Sequence, residues 1–410
     1  MKRLFFIMIL ALVCASGFAR QVEIKSVPLP APVGINEESI TQSKMSVEGE
    51  TAYFPTSNGI YSINLTDVGK GWTRQGFEGE NLIECARKGD EWLAITRNRG
   101  ERLLLRSTDN GKTFEDCTPY SFFREPKYRN VARLCQDPEN PDVIYMISGY
   151  AGILKSTDFG KSWSLVSNVI FENETYCGFE IHPLDSDILL QHGESFIMSP
   201  QIQISYNGGK DWIGSYGYPD PDIKIPDISD YSENCIHDIA FHPTDINTWI
   251  FGGEGVIAKT SDKGATWDGK GESWGYHYST LYDSNNPDVI YSLGQNNCDS
   301  NREGWLFMVS DDGGETWREQ YHHTNLEQPW YNDVKQTEDY LIVFGVENLY
   351  FVNKADLLAQ SGIQEVENDC SDGNIYSIEG RVVKRNAGKK DLDNLPKGLY
   401  IQHGRTVIVK

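Results

Sequence analysis

Read for its alternation of hydrophobic and polar positions, the chain is a succession of short apolar runs. Residues 130–137 form one run, closed by Asp137-Pro138-Glu139-Asn140-Pro141, and residues 143–147 form a second. Gly149-Tyr150-Ala151-Gly152 turns the chain, residues 153–155 form a third run, and residues 163–166 a fourth. Runs of this length, bounded by Gly, Pro and Asp, predict strands. The order then recurs, with His182-Pro183, His242-Pro243 and Asn286-Pro287 punctuating later units. Four antiparallel strands per unit predict the blade of a propeller. The pattern predicts seven units, the first over residues 45–77, the second from residue 82 and the last over 331–353.

Within each unit one octet stands out. Residues 156–163 read STDFGKSW, 107–114 STDNGKTF, 310–317 SDDGGETW and 260–267 TSDKGATW. Residues 205–212 (SYNGGKDW) put Asn207 where the others have Asp, and 65–72 (LTDVGKGW) is a degenerate sixth. The five clear copies begin 49, 49, 55 and 50 residues apart, a fixed period that signals a repeat architecture. An Asp or Asn side chain closes a tight turn by bonding nearby backbone amides, and the Gly accepts a positive φ. The aromatic is expected to pack under the neighbouring unit.

These octets resemble the Asp-box (BNR repeat) of propellers such as sialidases, xyloglucanase-type glycoside hydrolases, sortilin-like receptors and photosystem assembly factors. The resemblance spans about residues 40–356. It implies an all-β fold: a seven-bladed Asp-box β-propeller, with a short C-terminal β appendage beyond it. It says little about function, because the scaffold hosts enzymes and non-enzymes. The Arg-Ile-Pro-like string that sialidases carry before their first box has its nearest counterpart in Phe123-Arg124-Glu125-Pro126, after the first clear box. Xyloglucanases of this type pair two propellers around a cleft, and this chain has one.

The last unit has three strands and no box. Residues 21–29 (QVEIKSVPL) are expected to supply its fourth strand and so close the ring end to end. Residues 1–19 read as a secretory signal peptide: Lys2 and Arg3, an apolar run over 4–13, then Gly17 and Ala19 before cleavage. That run is too short for a membrane span. The propeller is expected over 20–356, a linker over 357–373, and a β segment over 374–410. The ending, KGLYIQHGRTVIVK, resembles the C-terminal sorting domains of type IX secretion substrates, which implies contact with secretion machinery.

The formal net charge of −22 argues against nucleic-acid binding, which needs a basic footprint. Seven cysteines follow residue 19, with no CxxC pair, so neither a zinc site nor a complete disulfide framework is indicated. Cys177 and Cys235 hold similar places in consecutive repeats, where they could pair or stand as two separate thiols. No metal or cofactor is expected.

In a propeller the box turns lie on one face, and the loops on the opposite face surround the central channel, the usual concave site. Those loops hold the expected substrate contacts Arg99, Arg129, Tyr150, Tyr176, His192, Glu194, Trp330 and Tyr331. They also hold the candidate acids and bases His237, Asp238, Glu254 and His277. Aromatic faces stack on sugar rings, and carboxylates bond hydroxyls. Arginines from neighbouring blades match the carboxylate of an acidic sugar. Two carboxyl groups across a bond serve a glycosidase, and a histidine or tyrosine serves a lyase. The expected partner is an extracellular oligo- or polysaccharide. Two readings stand: a glycoside hydrolase or polysaccharide lyase, and a non-catalytic propeller that binds a glycan or a protein.

Overall fold

The box turns are built by hydrogen bonds between residues at most four apart. In residues 156–163, Ser156 Oγ donates to Asp158 Oδ1 (2.8 Å) and accepts the Gly160 amide (2.8 Å). Asp158 then accepts the Ser162 amide (2.8 Å) and its hydroxyl (2.6 Å). The same bonds recur around Asp109, Asp262 and Asp312. Asn207 reproduces the amide bond, accepting from Asp211, and its amide group donates to the Asp211 carboxylate. The degenerate copy folds differently: Asn64 takes over the capping and residues Val68–Lys70 form a 3-10 turn.

The box glycine does two things at once. Gly264 has φ +86°, and a Cβ there would lie 2.5 Å from Ile204 of the preceding blade and 2.8 Å from Trp249. Gly209 is equivalent: φ +87°, with Val166 of the preceding blade 2.4 Å from such a Cβ. The turn is therefore packed tightly against the preceding sheet. The box aromatic packs against the preceding blade as expected, Trp212 in one cluster with Tyr145 and Ile153 and Trp267 in one with Ile188 and Ile204. It also bonds back into its own turn: the Trp212, Trp267 and Trp317 indoles donate to Gly209, Gly264 and Gly314.

This computed structural model describes residues 22–32, 44–98, 101–123, 131, 133–148, 151–167, 178–194, 200–214, 235–296, 304–323, 333–359, 375–377, 382–384, 395, 398–402 and 405–409. The fold is all-β, a β-propeller with one short helix, Lys354–Ala359, among the described residues. The first blade is Ser46–Glu48, Thr51–Thr56, Gly59–Asn64 and Thr73–Gly76, running outwards from the axis. The second, third and fourth repeat that order over residues 82–116, 133–167 and 178–214.

The expectation of seven separate blades is corrected here: the described strands make five four-stranded blades, and residues 236–323 make one six-stranded sheet. The reason is the strand Asp268–Tyr282, which runs 15 residues without a break. Its start pairs with Trp249–Thr260 (Lys259 opposite Asp268) and its end with Ile290–Asn296 (Tyr282 opposite Ile290). Two expected units thus share one strand.

The closing blade meets expectation. Ile24–Pro28 pairs antiparallel with Asn348–Asn353, Ile24 opposite Val352, outside Tyr340–Phe344 and Asp333–Gln336. Where a box would lie, the Lys354 amide donates to the Asp339 carbonyl (2.9 Å), as box amides donate to the first turn of their own blade (Phe159 to Asp142, 2.9 Å). Box turns and first turns therefore share one face. Apolar clusters fill the spaces between sheets: Leu93 and Leu104 meet Leu134 and Ile144, and Phe54 and Ile63 meet Ile342 and Phe344, which closes the ring.

The propeller occupies residues 20–358; residues 1–19 and 359–410 group separately. The latter holds a four-stranded sheet, Ile375–Ser377, Val382–Lys384, Gly398–Gln402 and Arg405–Val409, with Ile375 and Tyr400 buried. The expected signal peptide and most of the expected linker lie outside the described residues. No described helix is long and apolar enough to cross a membrane.

Candidate functional site

Two innermost strands of the six-stranded sheet are bulged at the same level. In Ile236–Phe241 the register slips between Ile236 and Asp238, which leaves His237 as the extra residue. In Asp268–Tyr282 it slips between His277 and Ser279, which leaves Tyr278. A bulge re-aims the side chain it carries and favours functional positions. Here the rings of His237 and Tyr278 come to 4.8 Å, and Tyr276 stacks on Tyr278 at 5.8 Å with 11° between planes. Glu254 faces Tyr276 across the ladder, and its Oε1 lies 3.5 Å from His237 Nε2. Close approach is possible because Gly294 has no side chain: a Cβ there would lie 1.6 Å from the Tyr276 carbonyl oxygen.

His237, Glu254, Tyr276 and Tyr278 form one cluster. It combines aromatic faces, which suit the C–H face of a sugar ring, with a carboxylate and an imidazole that bond hydroxyls. Neither Tyr276 nor Tyr278 is among the site residues expected from the sequence. The available signal was Tyr276-His277-Tyr278 beside the Gly252-Gly253 and Gly294 approaches.

The remaining sequence candidates lie elsewhere. His277 is fully enclosed, its Nδ1 3.0 Å from Ser292 Oγ; burial first, then the neighbouring His237, hold its pKa down near about 3. It is a neutral core imidazole. His192 is 1% exposed, with Nδ1 3.0 Å from the Ile236 carbonyl. Asp238 turns to the axis: its Oδ2 accepts the Thr280 amide (2.9 Å) and the Ser279 hydroxyl (3.1 Å) of the next inner strand. Glu194 is a strand residue paired with Pro200. Arg99, Arg129, Tyr150, Tyr176, Trp330 and Tyr331 lie outside the described residues, as does Cys177; Cys235 Sγ lies 3.8 Å from the Ile236 carbonyl.

The Asp238 arrangement recurs. Glu84 accepts the Leu134 amide (3.0 Å) and Asp333 accepts the Met45 amide (3.0 Å), each from the next inner strand round the ring. Glu84 and Asp333 staple neighbouring sheets at the axis, and Asp238 ties two strands of the six-stranded sheet. Burial pushes the pKa of Glu84 and Asp238 up, against the pull of nearby cations. Glu180 differs: burial opposes its charge, but Lys44 and then His192 prevail and hold it down at about 2. Between these strands lies a cavity of about 340 Å³, lined by Lys44, Glu180, Asp238, Ser279, Thr280 and Asp333 among others, and by no box residue. Among the described residues, no group of three or more His, Cys, Asp or Glu is placed to hold a metal ion.

Comparison with known proteins fits this geometry. A BNR/Asp-box repeat matches residues 308–319, twelve residues around one turn. No curated protein matches by sequence. Among solved structures, the GH74 xyloglucanase from Xanthomonas campestris is 15% identical, with a TM-score of 0.56 over 82% of this chain and 54% of that one. The GH74 enzyme from Niastella koreensis is 16% identical, with a TM-score of 0.56 over 79% and 53%. YCF48 from Cyanidioschyzon merolae is 14% identical, with a TM-score of 0.53 over 81% and 99%. This chain spans about half the length of the two GH74 structures and nearly all of YCF48. At these identities the likeness is one of fold, a β-propeller with Asp-box turns.

Proposed function

We propose that this propeller acts on an extracellular glycan by binding it, at the cluster of His237, Glu254, Tyr276 and Tyr278, without cleaving it. One observation carries the choice of binding over cleavage. Hydrolysis needs two carboxyl groups free to act on opposite sides of a bond. Glu254 faces His237, whereas Asp238 is bonded to the next strand and faces the axis. The fold shared with GH74 xyloglucanases supports a glycan ligand, and the stacked tyrosines supply a surface for one.

The test is a panel of neutral and acidic polysaccharides, xyloglucan, barley β-glucan, homogalacturonan and hyaluronan among them. Each is scored for binding, for new reducing ends and for unsaturated uronates. Binding without turnover is expected, and replacing Tyr276 and Tyr278 together by Ala should weaken it about tenfold or more. Released ends would establish the second reading, hydrolysis, in which the His237–Glu254 contact serves as an acid–base pair. Unsaturated uronates would point to a lyase.

Export belongs to the same proposal. The apolar start of the chain is read as a cleaved signal peptide, and the C-terminal sheet as a sorting domain for secretion or surface display. N-terminal sequencing of exported protein should begin near Arg20. Removal of residues 374–410 should leave the propeller folded but retained in the periplasm.

A further inference from the structure

Given glycan binding at the tyrosine cluster, on which this inference rests, the chemistry of the cluster narrows the ligand. Residues opposite one another in an antiparallel ladder share a face. Glu254 is opposite Tyr276, and Tyr276 is opposite Gln295, so the three form one row on one face of the six-stranded sheet. Neighbouring strands stand about 5 Å apart. A pyranose ring seated on Tyr276 therefore has a carboxylate on one side and a carboxamide on the other. Gln295 is 9% exposed, and its side chain has no hydrogen bond among the described residues. An amide so enclosed is costly to leave unpaired, and a ligand hydroxyl would complete it.

Glu254 also lacks a partner that answers its charge. Its side chain is 16% exposed, and its described contact is with His237, itself 8% exposed, whose Nε2 lies 3.5 Å away and has no hydrogen-bond partner. A neutral imidazole leaves the carboxylate uncompensated. No described Lys or Arg forms an ion pair with Glu254. The rings beside it have the same sign: Tyr278 and Tyr276 lie 4.8 and 6.4 Å from the His237 ring, and a tyrosine face carries the negative part of its quadrupole. The net charge of −22 adds to this field. An acidic sugar is repelled at such a place, and a neutral one leaves Glu254 without a counter-charge. A protonated amine satisfies the carboxylate and is drawn to the tyrosine faces.

We infer that the ligand is a glycan of amino sugars whose amines are free rather than acylated. The ring stacks on Tyr276 and Tyr278, the ammonium donates to Glu254, and Gln295 bonds a ring hydroxyl.

The test is calorimetric titration near neutral pH with an oligomer of glucosamine. It is set against oligomers of N-acetylglucosamine and of glucose with the same linkage and length, and against a lysine oligomer of equal charge. The glucosamine oligomer should bind about tenfold or more tightly than the other two sugars, as a hydrogen bond between charged groups allows. Glu254→Gln should bring that ratio towards one. Glu254→Asp, which withdraws the carboxylate by one methylene, should do the same and serves if the first variant does not fold. Equal affinity for the three sugars would overturn the inference and leave glycan binding intact. A preference for the amine that survives in the Glu254 variants, or a lysine oligomer that binds as well, would assign the effect to general surface charge and overturn it too. Failure of every glycan to bind would remove the glycan reading and this inference with it.

Discussion

The box turns and the axis of the propeller use the same chemical group to opposite effect. In a box, an exposed carboxylate bonds residues four positions on: Thr113 donates its amide and hydroxyl to Asp109 and holds that carboxyl down at about 2. For Asp158 and Asp312 burial is the largest single influence and opposes the shift, yet the combined hydrogen bonds from Ser162 and Thr316 and their neighbours outweigh it and both reach about 2. At the axis, Glu84 and Asp238 accept amides from residues 50 and 42 positions away, and burial drives their pKa up. The hydrogen bonds favour the charge in both places; in the boxes they prevail, whereas at Glu84 and Asp238 burial outweighs them. The first arrangement fixes a turn and the second fixes the ring.

The largest way to break the comparison is to open the ring. Deleting residues 21–30 removes the strand paired with Asn348–Asn353 and the buried Val22. Cooperative melting in calorimetry should disappear; an unchanged transition would show that closure does not depend on this strand. Next is the box glycine. Gly264→Ala places a Cβ at positive φ and against Ile204 and Trp249, so about 2–4 kcal/mol should be lost in urea unfolding.

Smaller effects separate the two kinds of carboxylate. Glu84→Ala strands the buried Leu134 amide and should cost about 1–3 kcal/mol. Glu84→Gln keeps an acceptor and removes a charge that burial disfavours, so it should cost clearly less. The smallest effect is in acid. A box Asp has a folded pKa near about 2, below its ordinary 3.8, so its contribution is complete above pH 4 and fades as pH falls towards 2. Asp158→Asn should flatten the fall of stability over that window. Glu84 has the opposite sign, its pKa being raised, so its ionisation works against the fold as pH rises through that raised value.

The same contrast explains what the sequence revealed. The boxes were legible because each is completed within eight residues, and the closing strand was legible because the last unit lacked a box. The six-stranded sheet was not. Gly269, Gly271 and Gly275 suggest breaks, but pairing on both flanks keeps Asp268–Tyr282 extended. Nor was the role of Asp238, read as a candidate acid, because its partners Ser279 and Thr280 come from another strand. His277 looks like a surface residue in the sequence, and only the packing around Gly252 and Ser292 encloses it. The bulges that bring His237 and Tyr278 together depend on the register of distant strands, which no local pattern encodes.

The most direct test of the working surface is a hydrogen-exchange footprint taken with the glycan that binds best on the panel. Slowed exchange should concentrate in Ile236–Phe241, in residues 252–255 and in the second half of Asp268–Tyr282. Protection centred on the turns at 107–114, 156–163 and 310–317 would place binding on the opposite face and contradict the account.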